Sequence, residues 1–294
     1  MKAQKNRLYK DVKFLTEIRP YRNYNNIESL QKVCSYIEKE FSCLELLTKK
    51  QNWIADGKEY TNVIGVYNEG KPKRLVVGAH YDVYGNQPGA DDNASAVAGL
   101  LETARLLNEN KPDLDYSIEL VAYCLEEPPY FGTEQMGSYI HAKSLSQDNA
   151  DVIGMICFEM IGYFSDEPNS QSFPSPELAK IYPDKGNFIM TVGIEMYDDF
   201  NKRVCMLMSE NSKIDVYNIS FPTNDVYAGL AGLSDHRNYW KFGYKALMIN
   251  DTSFIRNPNY HLTSDTIDTL DFNKMTEVVN CAYNAITKIN QSNP

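Results

Sequence analysis

The stretch "RLVVGAHYDVYGNQPGADDNASAVAGLLETARLLNE", residues 74–109, decides the fold. It opens on a continuous apolar run, 74–79, without the polar alternation of a half-exposed strand, so it reads as a strand buried on both faces. It closes on 93–109, where Val97, Leu100, Leu101, Ala104 and Leu107 recur at helical spacing behind Asn93, a residue suited to cap a helix. Between them lies a short loop holding a histidine and three aspartates.

The same alternation continues down the chain. "SIELVAYCL" (117–125) reads as a strand, "TEQMGSYIHAKSL" (133–145) as a helix and "VIGMICF" (152–158) as a strand. "NFIMTVGI", "DVYNIS" and "KALMIND" supply further strands. A last helix starts near Asp271 and puts Met275, Val278, Val279, Ala282 and Ile286 on one face. Upstream, Ile27, Leu30, Val33, Ile37 and Phe41 mark a helix, with Asn25 and Glu28 as a capping pair. Residues 45–67 read as two or three strands around an Asp56-Gly57 turn. Apolar strands alternating with helices predict a mostly parallel sheet covered on both sides, with the early hairpin at an antiparallel edge.

The 294 residues carry 43% apolar and 23% charged side chains, enough for a sizeable core, and no linker-like tract divides them; one domain, 1–294, is the economical reading. A formal net charge of -10 argues against nucleic acid or an anionic membrane as partner. No apolar run reaches membrane-spanning length and no apolar segment follows the basic N-terminus, so the expected location is cytoplasmic. Cys34, Cys43, Cys124, Cys157, Cys205 and Cys281 lack metal-finger spacing and read as free thiols. Nothing in the sequence fixes an oligomeric state.

In parallel sheets, sites lie beyond the carboxyl ends of the strands. Here those ends carry His80 and Asp82; the adjacent acids Glu126 and Glu127, followed by Pro128-Pro129, which keep the strand from continuing; Glu159; and, before the helix, Asp91 and Asp92. His261 follows the last strand. So many acids at one edge repel one another unless a cation offsets them. Two imidazoles and several carboxylates without a thiolate suit zinc or a similar first-row ion, and five ligands fit two ions sharing one carboxylate. Asp82, two residues past His80, could orient its imidazole.

With these residues placed, the chain resembles the zinc exopeptidase family of bacterial leucyl aminopeptidases, glutamate carboxypeptidases and glutaminyl cyclases. The matching blocks are "HYD", "GADDNASAVAGLLETARLL", "LEEPPYFGTEQMGS", "FEMIGY", "SDHRNYW" and "NYHLTSDTIDTLD", in the family's order. The resemblance implies a three-layer α/β/α sandwich with a mixed, mostly parallel sheet of about eight strands. It implies two zinc ions: His80, Asp91 and Glu159 on one, Asp91, Glu127 and His261 on the other, with Asp91 rather than Asp92 as the bridge. Glu126 would be the general base and Tyr260 a donor to the oxyanion. Asp235 and His236 would shape the substrate pocket, with a structural hydrogen bond as the other reading of His236. Phe131, Tyr163 and Phe164 would line that pocket, and the 130–135 and 165–230 loops would set preference. The implied activity is aminopeptidase hydrolysis of a peptide with a free N-terminus. The alternatives are a single-zinc glutaminyl cyclase and a non-catalytic receptor-like module.

Overall fold

The computed structural model describes residues 1–223 and 228–291. Helices α1 (Lys5–Glu17) and α2 (Ile27–Cys43) lead into a hairpin of β1 (Leu47–Ala55) and β2 (Lys58–Tyr67). Asp56 and Gly57 both have positive φ, 49° and 76°, which two-residue hairpin turns use to match strand twist. There follow β3 (Lys73–His80), α3 (Ala96–Asn110), β4 (Tyr116–Tyr123), α4 (Gly137–Gln147) and β5 (Asp151–Glu159). The C-terminal part adds α5 (Leu178–Ile181), β6 (Ile189–Ile194), α6 (Asp198–Ser209), β7 (Val216–Phe221), α7 (Ala228–Ala231), α8 (His236–Trp240), β8 (Ala246–Asn250) and α9 (Phe272–Lys288).

The eight strands form one mixed sheet in the order β1-β2-β4-β3-β5-β8-β6-β7. Its centre, β4-β3-β5-β8, is parallel, and the hairpin joins β4 antiparallel at the edge. Alternating side chains feed two cores, because successive residues of a strand face opposite ways. Leu75, Val77 and Ala79 of β3 pack with α1, α2, α3 and α9, while Val76 packs with α4 and α8. The three-layer sandwich expected from the sequence is therefore present.

Several local expectations shift. β4 stops at Tyr123, because Leu125 takes φ 64° and turns the chain; α4 begins only at Gly137. Asn93 does not cap α3: residues 90–95 form a wide turn, and its side-chain amide donates to Glu159 instead. The Asn25–Glu28 capping pair is not formed; Asn26 holds the cap position without a side-chain bond to the helix. Helix α1 is an element beyond those expected, with Leu8, Val12 and Leu15 buried at helical spacing. It covers the polar side of α3, where Arg7 donates to Glu102 and Arg105 to Asp11, so α3 is buried nearly all round. Asp271 caps α9, accepting from the amides of Asn273 and Lys274. Asp271→Ala is expected to cost ~1 kcal/mol, read as a fall of about 2 °C in Tm.

Candidate metal centre

The parallel strands β3, β4, β5 and β8 deliver their carboxyl ends to one edge. His80 is the last residue of β3 and Glu159 the last of β5. The positive φ of Leu125 swings Glu126 and Glu127 off the end of β4, and His261 is likewise held at φ 58° after β8. His80 Nε2 lies 3.3 Å from Glu159 Oε2, 3.5 Å from Asp92 Oδ1 and 3.7 Å from Glu126 Oε2. His261 Nε2 lies 3.1 Å from Asp92 Oδ2 and 3.4 Å from Glu127 Oε2. One carboxylate, Asp92, thus faces both imidazoles. Ligand atoms of His80, Asp92 and Glu159 lie within 4.8 Å of one another, and so do those of Asp92, Glu127 and His261.

The central carboxylate is Asp92, not the expected Asp91. Asp91 points the other way: its carboxylate accepts from the Gly162 amide at 3.0 Å and from Asn257 Nδ2 at 2.8 Å. Burial and the neighbouring Asp251 push its pKa well above the carboxylate range. The two side chains diverge because Asp265 grips both backbone amides, Asp91 N at 2.9 Å and Asp92 N at 3.1 Å, fixing the peptide between them. Gly89, at φ 60°, opens this turn; a Cβ there would stand 2.3 Å from the Asp92 carbonyl oxygen.

Supporting bonds aim each group. His80 Nδ1 lies 3.2 Å from the Asp82 carbonyl oxygen. Donation there makes Nε2 the ring atom that faces the carboxylates and would ligate a cation held among them. The Asp82 side chain accepts from the amides of Glu126 and Glu127, 3.1 Å each, so it sets both acids as well as flanking the imidazole. Glu159 Oε2 accepts from Ser234 Oγ at 2.6 Å and Asn93 Nδ2 at 3.3 Å. Asn250, at the end of β8, donates to the Glu159 carbonyl at 2.7 Å. The His261 ring is sandwiched between Tyr260 (centroids 3.8 Å apart) and the exposed Tyr84 (4.3 Å).

The electrostatics match a site built for cations. Burial pushes Glu126 well above its ordinary pKa, Glu127 and Glu159 adding to the rise while His80 opposes it. Glu127 is pushed up to about 7 by burial and by Asp92. Burial alone would lower His261, yet Asp92 and Glu127 raise it to about 10. His80 behaves in the same way, burial being overridden by Glu159 and Glu126. The Tyr260 hydroxyl is raised by burial and by four of these carboxylates, which places it in their field. Glu127 Oε1 is buried without a hydrogen-bond partner among the described residues. An orphaned carboxylate oxygen beside two imidazoles is the donor chemistry of a first-row metal site.

Other expected residues sit differently. Asp235 is fully buried, and burial brings its pKa to about 7 against the pull of His80. His236 turns from this cluster: Nε2 meets the Ala231 carbonyl at 2.5 Å, the ring stands edge-on to Trp240, and burial lowers its pKa to about 4. It is a neutral structural histidine. Phe131 packs under Arg237 and Phe164 against Arg256, and neither is among the walls of the apolar pocket that opens between β6, β7 and β8. That pocket is lined instead by Phe173, Tyr182, Met190, Phe221, Met248 and Phe254, and reaches Asn250 beside Glu159. Of the 165–230 loop, residues 224–227 lie outside the described residues. The sequence pattern assigns no site role to Asp265 or Ser234 and offers Asn93 only as a helix cap. The first lies four residues past His261, in a stretch whose Tyr260 and His261 carry the more evident chemistry, and the other two are ordinary polar residues until folded.

Among curated proteins the chain is 39% identical over 287 residues to the uncharacterized protein YfbL of Escherichia coli (strain K12), covering 94% of this chain and 86% of that one. It is 27% identical over 261 residues to a probable leucine aminopeptidase 1 of Trichophyton verrucosum; the match takes in 83% of this chain and 61% of the fungal protein's length. Among solved structures, the LapA aminopeptidase of Legionella pneumophila superposes with a TM-score of 0.76 at 19% identity, over 97% of this chain and 72% of that one. A glutaminyl cyclase of Bacteroides thetaiotaomicron superposes at 0.74 and 19%, over 99% of each chain. These two show a shared fold. Residues 62–286 match the model of peptidase family M28, and the chain belongs to that family of hydrolases.

Proposed function

We propose that the chain is a zinc aminopeptidase with two co-catalytic ions, acting on peptides with a free and apolar N-terminal residue. The observation that carries this reading is the Asp92 carboxylate, one oxygen toward His80 and the other toward His261. His80, Asp92 and Glu159 would hold one ion, and Asp92, Glu127 and His261 the other. When bound, the ions supply Lewis acidity toward the scissile carbonyl and toward water. Glu126 stands beside both sets without the bridging position, and its raised proton affinity suits a base that takes a proton from water and returns it to the leaving amine. The Tyr260 hydroxyl, held protonated in the field of the carboxylates, donates to the oxygen that gains charge as water adds. The surrounding acids favour the substrate's ammonium group. The pocket beside Glu159, with its Phe, Tyr and Met walls, suits a large apolar side chain.

The test is metal content per chain together with hydrolysis of leucyl, phenylalanyl, glutamyl and lysyl p-nitroanilides. Close to two zinc per chain is expected, with leucyl and phenylalanyl substrates preferred. Activity should be lost to a chelator and restored by zinc. Cyclisation of N-terminal glutamine is measured in parallel. One zinc with cyclase activity and no amide hydrolysis would replace this reading by the cyclase one, and a metal-free, inactive chain would leave a binding module. Among the described residues no helix is long and apolar enough to cross a membrane.

A further inference from the structure

Arg22 lies in the segment between α1 and α2, outside the stretch that matches the family model. It is fully buried, and its hydrogen bonds among the described residues go to main-chain carbonyls. Nε donates to Tyr81 at 2.9 Å, Nη1 to Leu15 at 3.1 Å and to Pro88, and Nη2 to Gly89 at 2.6 Å. Its own carbonyl accepts from Val83 N at 3.2 Å. Next to it, Asn23 Nδ2 donates to the Gly85 carbonyl at 2.6 Å. The pair 22–23 therefore ties both ends of the loop that leaves β3 after His80 and arrives at Asp92. A buried guanidinium with no carboxylate in contact is costly unless nearby negative charge offsets it. Burial lowers the Arg22 pKa to about 10, and the charges that act against this are Asp265, Asp92, Asp82 and Glu127.

We infer that Arg22 is a positioning residue of the metal centre. Its fork fixes the Pro88–Gly89 carbonyls against Tyr81, and through the Gly89 turn it sets the Asp92 carboxylate opposite His80. The inference rests on the metal reading above. Two contributions have opposite sign. The fork preorganises ligands and tightens metal binding, whereas the positive charge repels a cation and weakens it. The variants separate them. Arg22→Lys keeps the charge and loses the planar fork; Arg22→Met loses both.

The experiment is zinc affinity by competition with a chromophoric chelator, well below each variant's melting temperature, with Leu8→Ala in α1 as a control for general destabilisation. Arg22→Lys is expected to bind zinc about 10–100-fold more weakly, Arg22→Met to lose less because it also removes the repelling charge, and Leu8→Ala to stay close to wild type. Arg22→Lys binding as tightly as wild type overturns the inference, as does an equal loss in Leu8→Ala. Should Arg22→Met not fold, Arg22→Lys decides: weakened binding supports positioning and wild-type affinity overturns it. A wild-type chain that takes up no zinc would instead remove the functional reading itself.

Discussion

Glu126→Gln is expected to lower kcat on a leucyl substrate by about 10²–10⁴-fold while zinc content stays at the wild-type level. The side chain keeps its shape and loses only the ability to take a proton. Its backbone amide is still held by the Asp82 carboxylate, so neither Glu127 nor His80 need move. The two metal sets that span the cluster, His80–Asp92–Glu159 and Asp92–Glu127–His261, do not include Glu126, although it also lies close to His80 and Glu127. Single-turnover kinetics with metal analysis on the same preparation read both quantities. Near-wild-type turnover would remove Glu126 as the base, and lost zinc would make it a ligand instead.

Asp92→Ala and Asp91→Asn should separate two neighbouring acids completely. Asp92→Ala removes the carboxylate common to both ligand sets, and loss of both ions and of detectable hydrolysis is expected. Asp91→Asn touches no histidine. It leaves an acceptor for Gly162 N or Asn257 and disturbs a buried network, at a cost of about 1–3 kcal/mol. Its zinc content should persist. Metal content by plasma spectrometry and Tm by calorimetry decide. A metal-free Asp91→Asn beside a metal-loaded Asp92→Ala would reverse the bridge.

Much of this site is legible before folding because strand ends and ligand types are local properties. The apolar run 74–79 ends at His80, the run through Cys124 and Leu125 ends at two acids, and β5 ends at Glu159. Parallel strands then bring those ends together whatever the loops do. The choice within the Asp91-Asp92 pair is not local. Adjacent residues of one type differ only in direction, and direction is set by Asp265, more than 170 residues away in sequence, gripping both amides. His236 fails for a related reason. A Ser-Asp-His sequence has polar residues but no orientation, and packing on Trp240 turns the imidazole toward Ala231. The pocket walls also come from β6, β7, β8 and the loop after β5, segments that meet only through sheet order.

By itself, then, the sequence determined the layered α/β architecture, the sheet edge where chemistry could gather, and the histidines and acids brought to it. Periodicity and strand termination are short-range consequences of side-chain shape and polarity. The tertiary structure alone decided which oxygen faces which imidazole, that Asp92 sits between them, and that a buried arginine from the N-terminal helices braces its loop. Those outcomes depend on hydrogen bonds between segments far apart in the chain, whose geometry no local pattern encodes.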